Sequence, residues 1–266
     1  MSVIVDLVGL YESVGFSVQA NLSNYHFRGH ENHELGFTHL FDTNGVACAC
    51  AGIAFAEIAF FEALCQRTRP RSVFVLGNAF GWSTIALGLI NPAARIIAID
   101  HCPSADERRG LEVTNMLAKF AGLNVQAVQG KSPDDVGAIC AREIAGPIDL
   151  VFIDGDHTPA QLTIDFTACR AAAGPDCIYV FHDVLNFGMA GSFLRAAESE
   201  PDMAGFILMR TPSGMGILYP RARAAEIDPV VRAFSESERR MSALRAASEQ
   251  AREKAARAKA GQDVGL

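Results

Sequence analysis

Acidic and imidazole side chains follow two apolar segments of the sequence, at positions where buried strands would end. The segment 148–153 continues into Asp-Gly-Asp-His at 154–157, and the segment 177–181 continues into His182 and Asp183. In open α/β sheets, ligands bind in the crevice outside the carboxyl ends of the parallel strands. Carboxylates and imidazoles that converge there repel or desolvate one another unless a cation or a proton-transfer reaction requires them. We therefore expect a metal site or an acid–base site at this edge.

The chemical types of these side chains leave several interpretations open. Oxygen ligands from Asp154 and Asp183 suit Mg²⁺, Mn²⁺ or Ca²⁺, whereas an added imidazole ligand from His182 suits Mn²⁺, Fe²⁺ or Zn²⁺. His157 or His182 could instead accept a proton as a general base. Alternatively, Asp156, His157 and Asp183 only cap the helices that follow. His182 could also turn away into the sheet, because neighbouring residues of a strand point to opposite faces.

A glycine-containing turn lies upstream, between a predicted strand and a predicted helix. Gly77 follows the apolar segment 72–76, and Gly81 precedes a helix that starts near Ser83. Glycines let the backbone turn sharply and approach a ligand, and a helix N-terminus offers free N–H groups to an anion. Asp100 ends the next predicted strand, where an acid can accept both hydroxyls of a ribose. The spacing lacks the middle glycine of G-x-G-x-x-G, which favours a nucleoside without phosphates. The alternative is tight packing of strand and helix with no ligand.

These residues require a sheet that brings strand ends together, and the sequence from residue 70 onward has the pattern for one. Five β-rich segments alternate with helical ones, and an antiparallel hairpin follows. The predicted strands are 72–76, 95–99, 125–129, 148–153, 177–181, 206–210 and 216–219. Alternating strands and helices are typical of a mostly parallel sheet with helices on both faces.

Local signals predict where the intervening helices begin and end. Ser104 with Glu107 matches the capping-box pattern that opens a helix, and Gly122 can close that helix. The pairs Ser-Pro at 132–133 and Thr-Pro at 158–159 each place a capping hydroxyl before a proline at the first helical position. We expect one helix to start at each pair.

Two flanks surround the alternating region and define the predicted domains. Residues 1–69 are expected to form an N-terminal helical cap or lid, residues 70–220 the sheet domain, and residues 221–266 a basic helical tail. The tail carries ten basic and seven acidic side chains, and Asp228 followed by Pro229 would open its long helix. Its apolar positions become sparse toward the C-terminus, so much of it is expected to be solvated or to pack on a partner.

A histidine-rich segment lies in the N-terminal flank, before a predicted apolar helix at 52–67. Its histidines are His26, His30, His33 and His39. They could form a separate metal site, since imidazole is a common ligand of transition metals. They could instead belong to a polar lid or subunit contact that supplies substrate contacts over the crevice, or simply be surface residues.

Composition excludes several classes of protein. Half of the 266 residues are hydrophobic, which is enough for a sizeable core, and the net charge of −7 argues against a nucleic-acid partner. Seven cysteines without regular spacing do not predict a disulfide framework. No segment is apolar over the length of a membrane span, and the first residues lack the basic start of a secretory signal. We expect a cytoplasmic location and no membrane partner.

Five motifs, in order, resemble class I S-adenosylmethionine-dependent methyltransferases. They are VFVLGNAFGWST, IIAID, VQGKS, DLVFIDGDH and YVFHDV, and the resemblance extends over about residues 52–220. It is greatest to the branch that contains catechol O-methyltransferase-like enzymes and bacterial small-molecule methyltransferases with an F-I-D-G-D-H signature. The resemblance implies an α/β doubly wound sheet of seven strands in the order 3-2-1-4-5-7-6.

The resemblance also implies a function for individual residues. Asp100 would bind the ribose, His101 would lie beside the adenine, and Asp154 would lie below the reactive methyl group. The methionine end of the cofactor would be held by Gly77, Asn78, Gly81 and Ser83, and the adenine pocket would be lined by Lys131 and Ser132.

A divalent cation, Mg²⁺ or Mn²⁺, is implied for Asp154 and Asp183, with His182 as third ligand or as general base. The sequence departs from the family pattern at two places. Val75 stands where many relatives have an acid, so the amino-acid end of the cofactor would be held differently. Asp183 stands between His182 and Val184, without the neighbouring acid or amide of metal-dependent members.

The expected function is transfer of a methyl group from S-adenosylmethionine to a hydroxyl of a small molecule, assisted by the cation. Without the cation, His157 or His182 would take the hydroxyl proton. The alternative is a non-catalytic nucleoside-binding or assembly protein of the same fold. We expect a homo-oligomer, and no pattern in the sequence identifies the acceptor.

Overall fold

The computed structural model describes residues 2–20, 37–48, 52–237, 239–240 and 246. In chain order its helices and strands are α1 (Val3–Ser13), β1 (Ser17–Ala20), β2 (Thr38–Phe41), α2 (Phe55–Thr68), β3 (Ser72–Leu76), α3 (Trp82–Ile90), β4 (Arg95–Asp100), α4 (Ala105–Ala121), β5 (Val125–Gln129), α5 (Val136–Glu143), β6 (Leu150–Ile153), α6 (Pro159–Ala172), β7 (Ile178–Phe181), α7 (Ala190–Ser199), β8 (Met203–Leu208), β9 (Met215–Pro220) and α8 (Ala224–Phe234).

Seven of these strands form one sheet in the order β5-β4-β3-β6-β7-β9-β8. The first five are parallel, and β9 pairs antiparallel with both β7 and β8. Numbered from β3, the order is 3-2-1-4-5-7-6, so the predicted fold is confirmed. β1 and β2 form a separate antiparallel pair.

The register of the sheet places the functional segments side by side. Leu76 pairs with Ile99 on one side and with Ile153 on the other, and Ile153 pairs with Phe181. The residues that follow these strand ends therefore meet at one edge of the sheet, as the sequence pattern predicts.

Most predicted helix boundaries agree with the structure. The Ser104 hydroxyl accepts the N–H of Glu107 and the Glu107 carboxylate accepts the N–H of Ser104, which completes the capping box of α4. Gly122 ends α4 in the left-handed conformation with φ +67°. The Thr158 hydroxyl accepts the N–H of Gln161 at the start of α6. Each cap satisfies backbone groups that a helix end leaves unpaired.

Two predicted helix starts are wrong. The segment 132–133 does not open α5, which begins at Val136, because the Asp135 carboxylate accepts the N–H of Lys131 and closes a turn there. Pro229 does not open α8 but lies inside it, because a 3₁₀ turn at Arg221–Arg223 leads directly into the helix. The Asp228 carboxylate accepts the Tyr219 hydroxyl at 2.6 Å instead of capping a helix.

The hydrophobic core lies on both faces of the sheet. On one face the flanking helices contribute directly: Leu7 of α1, Phe60 of α2 and Val230 of α8 share one buried cluster with Val73 and Val75 of β3. On the other face, α5, α6 and α7 cover the second cluster. No helix in the described part of the chain is long and apolar enough to cross a membrane.

Candidate active site

A cavity of about 590 Å³ opens at the carboxyl ends of β3, β4 and β6. Eight of the nine residues predicted to hold the cofactor line it, namely Gly77, Asn78, Ser83, Asp100, His101, Lys131, Ser132 and Asp154. Gly81 does not line the cavity but precedes α3, in the left-handed conformation with φ +79°. The resemblance thus selected residues that the fold brings to one place.

Protein packing requires the glycines of the turn. A Cβ atom on Gly77 would collide with the backbone carbonyl of Asp154, and one on Gly81 would collide with the Thr114 hydroxyl. Both glycines also have positive φ values, which other residues rarely adopt. The two glycines therefore permit a close approach of the turn to other parts of the protein. The cavity lies next to this turn.

Asp100 holds this turn in place. Its Oδ2 accepts the backbone N–H groups of Asn78 at 2.9 Å and Ala79 at 2.8 Å, and its Oδ1 accepts that of Cys102 at 3.2 Å. Each carboxylate oxygen has two lone pairs, so Oδ1 retains capacity for a further donor. Asp100 can therefore shape the turn and bind a hydroxyl group at the same time.

The Asn78 side chain is engaged within the protein. Its Oδ1 accepts the Thr84 hydroxyl at 3.0 Å, and its Nδ2 donates to the Ala79 carbonyl at 2.9 Å and to the Thr114 hydroxyl at 3.0 Å. These bonds tie the turn to α3 and α4, so we infer that Asn78 shapes the cavity mainly through its backbone.

At the other end of the cavity a buried hydroxyl lies near a buried carboxylate. Ser132 Oγ makes no well-formed hydrogen bond with any described residue. Near it, Asp165 lines the cavity, and its Oδ1 accepts Gln161 Nε2 at 2.7 Å. Burial raises the pKa of Asp165 above its usual range. Buried polar groups are normally hydrogen-bonded, so Ser132 fits a wall that receives a polar ligand. Sequence reasoning missed Gln161 and Asp165, although their i, i+4 spacing on α6 was visible.

The carboxylates and imidazoles at the strand ends form one cluster. Asp154, His157, His182 and Asp183 place one ligand atom each within 4.8 Å of one another. His182 Nδ1 lies 3.0 Å from Asp154 Oδ1 and 3.2 Å from Asp183 Oδ2, and His157 Nε2 lies 3.4 Å from both oxygens. The structure therefore brings the three predicted metal ligands together and adds His157.

Backbone conformation explains why two consecutive residues point to the same place. Hydrogen bonding continues one residue past the strands, since Asp154 N–H donates to Leu76 and His182 N–H donates to Ile153. Asp183 then adopts φ +54°, which ends the alternation of the strand. This conformation brings the Asp183 carboxylate beside the His182 ring. The interpretation that His182 turns away into the sheet is wrong, because its Nδ1 atom faces both carboxylates.

The helix-capping interpretation of these residues is also wrong. Thr158 caps α6 with its side chain, and the residue that precedes α7 is Met189. Asp183 Oδ1 instead accepts the side-chain amide of Asn186 at 2.8 Å, which orients the carboxylate toward the cluster.

Opposite charges in the cluster shift the pKa values of its members. Burial alone would lower the pKa of His182, but the charges of Asp154 and Glu57 outweigh it and raise that pKa well above its usual range. Burial alone would raise the pKa of Asp154, yet the two histidines hold it below its usual range. Burial likewise lowers the pKa of His157, but the Asp154 carboxylate outweighs this effect and raises it. The cluster is thus a set of mutually dependent charges.

Glu57 contacts the cluster, and the sequence reasoning missed it. It lies in α2, is fully buried, and its Oε2 lies 3.1 Å from His182 Nε2. Burial would raise the pKa of Glu57, but the charge of His182 outweighs it and lowers that pKa. An acid in the otherwise apolar segment FAEIAFF was the available signal.

Aromatic rings border the cluster on two sides. The half-exposed Phe187 ring stacks on His157 with centroids 4.7 Å apart, and the Phe37 ring centroid lies 5.8 Å from that of His182.

Of the histidine-rich segment, His39 lies in β2, whereas His26, His30 and His33 lie outside the described residues. Both Leu40 and Gly52 from the N-terminal flank line the cavity.

The cluster fits a divalent cation. Its neighbouring ligand atoms are 3.0–3.4 Å apart. Ligand atoms about 2.1 Å from one ion at right angles to each other are about 3.0 Å apart, so the spacing is suitable. The His182 Nδ1 atom is buried and faces the two carboxylates, which is where a third ligand of a shared ion would lie.

Comparison with known proteins agrees with the fold. A family described as a methyltransferase domain matches residues 59–184. The catechol O-methyltransferase of Niastella koreensis is 28% identical over 149 residues, which are 55% of this chain and 62% of that protein. The chain thus spans less than two thirds of that relative.

Two solved structures share the fold at lower identity. The O-methyltransferase TomG of Streptomyces achromogenes, in complex with SAM, has 20% identity and a TM-score of 0.53 over 64% of this chain and 81% of its own. The O-methyltransferase of Bacillus cereus, in complex with SAH, has 18% identity and a TM-score of 0.50 over 63% and 82%.

Proposed function

We propose that this chain transfers a methyl group from S-adenosylmethionine to a hydroxyl of a small molecule. A family described as a methyltransferase domain matches residues 59–184, and the strand order is the one that the resemblance to class I S-adenosylmethionine-dependent methyltransferases implies. We propose further that a divalent cation assists the transfer. The catechol O-methyltransferase relative supports both the reaction and the type of acceptor.

The observation that carries this proposal is the position of Asp154. Asp154 lines the cavity proposed for the methyl donor and also places Oδ1 in the cluster proposed for the cation. A methyl donor and an acceptor bound at these two places would be neighbours. The sulfonium already activates the methyl carbon, so the protein has to place the acceptor oxygen about 3 Å away and help remove its proton.

The cavity residues would hold the nucleoside part of the donor. Asp100 Oδ1 has capacity for a ribose hydroxyl, and Ser132 Oγ lies buried in the cavity wall without a well-formed hydrogen bond to any described residue. The N-terminus of α3 adds backbone N–H groups near the turn. Val75 is fully buried in β3, so the amino-acid end of the donor would depend on this turn rather than on an acid at that position.

Asp154, His157, His182 and Asp183 would hold the cation. A cation bound there supplies Lewis acidity that lowers the pKa of the acceptor hydroxyl and orients it. His157 is the better placed histidine to receive the proton when no cation is bound, since its side chain is 34% exposed against 4% for His182. His182 contacts carboxylates through both ring nitrogens and has no such access.

The test of the transfer uses the purified full chain with S-adenosylmethionine labelled in the methyl group. Candidate acceptors are small hydroxyl compounds, catechols among them, and formation of S-adenosylhomocysteine is the readout. We expect label to appear on an acceptor oxygen. Tight binding of S-adenosylmethionine with no turnover on any acceptor would contradict the proposal.

The cation part has its own test. We expect a chelator to abolish activity, Mg²⁺ or Mn²⁺ to restore it, and Asp183→Ala to lose activity that no cation rescues. Asp176→Ala, at the exposed opposite end of the same strand, is the matched control and should behave as the wild type. Full activity in excess chelator, with no metal found by elemental analysis, would leave proton transfer to a histidine as the mechanism.

A further inference from the structure

Glu57 is a fully buried acid that the proposed transfer does not use directly. It lies in the first turn of α2, outside the family-matched segment, and none of its surface is exposed. Carboxylates are almost never fully buried unless they are paired. Its partners therefore indicate what it does.

Four donors from three parts of the fold hold the Glu57 carboxylate. Oε1 accepts the backbone N–H of Ser213 at 3.1 Å and also the Ser213 hydroxyl. Oε2 accepts the backbone N–H of Ala54 at 2.8 Å and lies 3.1 Å from His182 Nε2. The start of α2 and the turn between β8 and β9 thus fix this carboxylate before any ligand binds.

This arrangement determines which nitrogen of His182 is available to a ligand. When Nε2 donates its proton to Glu57, a neutral ring presents Nδ1 without a proton. Nδ1 is the atom that lies 3.0 Å from Asp154 and 3.2 Å from Asp183. In metal sites a ligating histidine almost always donates its other ring N–H to a carboxylate or carbonyl, which fixes the ring and its tautomer.

We propose that Glu57 is a positioning residue that holds His182 Nδ1 toward Asp154 and Asp183 as a cation ligand. With His157, the site then offers two imidazole nitrogens and two carboxylates. Nitrogen ligands favour Mn²⁺ over Mg²⁺, which prefers oxygen, so the site prefers Mn²⁺ to Mg²⁺. This inference rests on the cation part of the proposed function.

The test measures Mn²⁺ binding directly, by electron paramagnetic resonance of free Mn²⁺ titrated with the purified full chain. Glu57→Gln removes the charge and can donate an amide N–H to Nε2, which would move the ring proton to Nδ1. We expect about 10- to 100-fold weaker Mn²⁺ binding, the usual effect of removing such a partner. We expect the preference for Mn²⁺ over Mg²⁺ to fall with it. Glu62→Gln, on the same helix, is the matched control and should leave binding unchanged.

A double-mutant cycle shows whether Glu57 acts through His182. We expect His182→Gln to weaken Mn²⁺ binding and Glu57→Gln to add nothing in that background, because coupled residues are not additive. Equal Mn²⁺ affinity of wild type and a folded Glu57→Gln chain, with only a lower Tm in chelator, would overturn the inference and leave Glu57 a structural residue.

A milder variant tests the same inference if Glu57→Gln does not fold. Ser213→Ala removes one donor from Glu57 and keeps the charge, so we expect a several-fold loss of Mn²⁺ affinity, and unchanged affinity would overturn the inference. A wild-type chain that binds no Mn²⁺ would overturn the cation part of the proposed function as well. If the wild type binds Mn²⁺ and the variant binds it with equal affinity, only the positioning role of Glu57 is overturned.

Discussion

At the scale of single residues, two carboxylates in this protein each take part in two features of the site. Asp154 belongs to both the cavity and the charged cluster, and Asp100 both orders the glycine turn and faces the cavity. A substitution at such a position changes protein structure and ligand binding together. Variants therefore need stability and affinity measured side by side.

Asp100→Ala should weaken binding of S-adenosylmethionine by about 1.5–3 kcal/mol, the range for a lost hydrogen bond to a charged group. The loss includes release of the two N–H groups of Asn78 and Ala79 that Asp100 now accepts. Calorimetric titration checks it, with Asp106→Ala, an exposed acid in α4, as the control. Unchanged affinity in a folded Asp100→Ala chain would remove the nucleoside from this cavity.

Asp165 predicts a dependence of stability on pH. Burial raises its folded-state pKa above the unfolded value of about 3.8, so the folded protein binds this proton more tightly than the unfolded chain. The resulting stabilisation of the folded state is complete below the unfolded pKa and is lost as the pH rises through the folded pKa. At pH 7.5 the buried charge is destabilising. Asp165→Asn should then raise Tm by about 2–4 °C, the shift that about 1 kcal/mol produces in a chain of this size.

The Asp165→Asn advantage should shrink as the pH is lowered from 7.5 toward 4, because the raised pKa makes the wild-type carboxyl take up a proton earlier than an ordinary aspartate does. Thermal unfolding at both pH values checks this, with the exposed Asp134→Asn as control. A lower Tm at pH 7.5 would mean that the hydrogen bond from Gln161 outweighs burial.

At the scale of elements, α1 supports the cavity although it lies outside the main sheet. The fully buried Tyr11 donates its hydroxyl to the Phe80 carbonyl at 2.8 Å, and its ring lies 5.2 Å from that of Trp82. Trp82 in turn donates to the Ile53 carbonyl at 3.0 Å. The N-terminal flank thus contacts the glycine turn and the start of α3 and stabilises their position.

Tyr11→Phe should lower the free energy of unfolding by about 1–3 kcal/mol, because it leaves the buried Phe80 carbonyl unpaired. It should also weaken S-adenosylmethionine binding, since the turn loses a fixed contact. Tyr219→Phe is the matched control: it removes a hydroxyl that bonds Asp228, away from the cavity, and should affect stability only. Equal affinities of the two variants would show that α1 does not support the binding turn.

At the scale of the whole molecule, the C-terminal region has two parts. Ile227, Val230 and Val231 of α8 are buried in the main core, and the Phe234 ring lies 5.4 Å from Phe60. The long helix expected beyond this point lies mostly outside the described residues. The first part therefore stabilises the domain, and the basic remainder stays a candidate contact between subunits.

Two truncations separate these parts. A chain ending at residue 245 should keep its Tm, while a chain ending at residue 223 should lose several kcal/mol, since each buried aliphatic side chain contributes about 1.5–3 kcal/mol. Light scattering of the 245-residue chain tests whether the predicted homo-oligomer depends on the tail. A large loss of stability in that chain would show that the residues beyond 245 pack on their own domain.

The sequence alone determined the order of strands and helices from residue 70 onward, the glycine turn and the acids at the strand ends. These features follow from local patterns: Ser104 and Glu107 cap their own helix, and apolar segments such as 148–153 predict buried strands. Parallel connections then bring the strand ends to one edge.

Only the tertiary structure decided how the side chains at that edge are used. Glu57 and His182 are 125 positions apart, and their contact depends on how α2 packs on the sheet, which no local pattern encodes. The direction of the Asp183 side chain depends on its own left-handed backbone, and the start of α8 on the 3₁₀ turn at Arg221–Arg223 that leads into it. Local propensity selects an element, whereas the orientation and charge of a buried side chain depend on its neighbours in space.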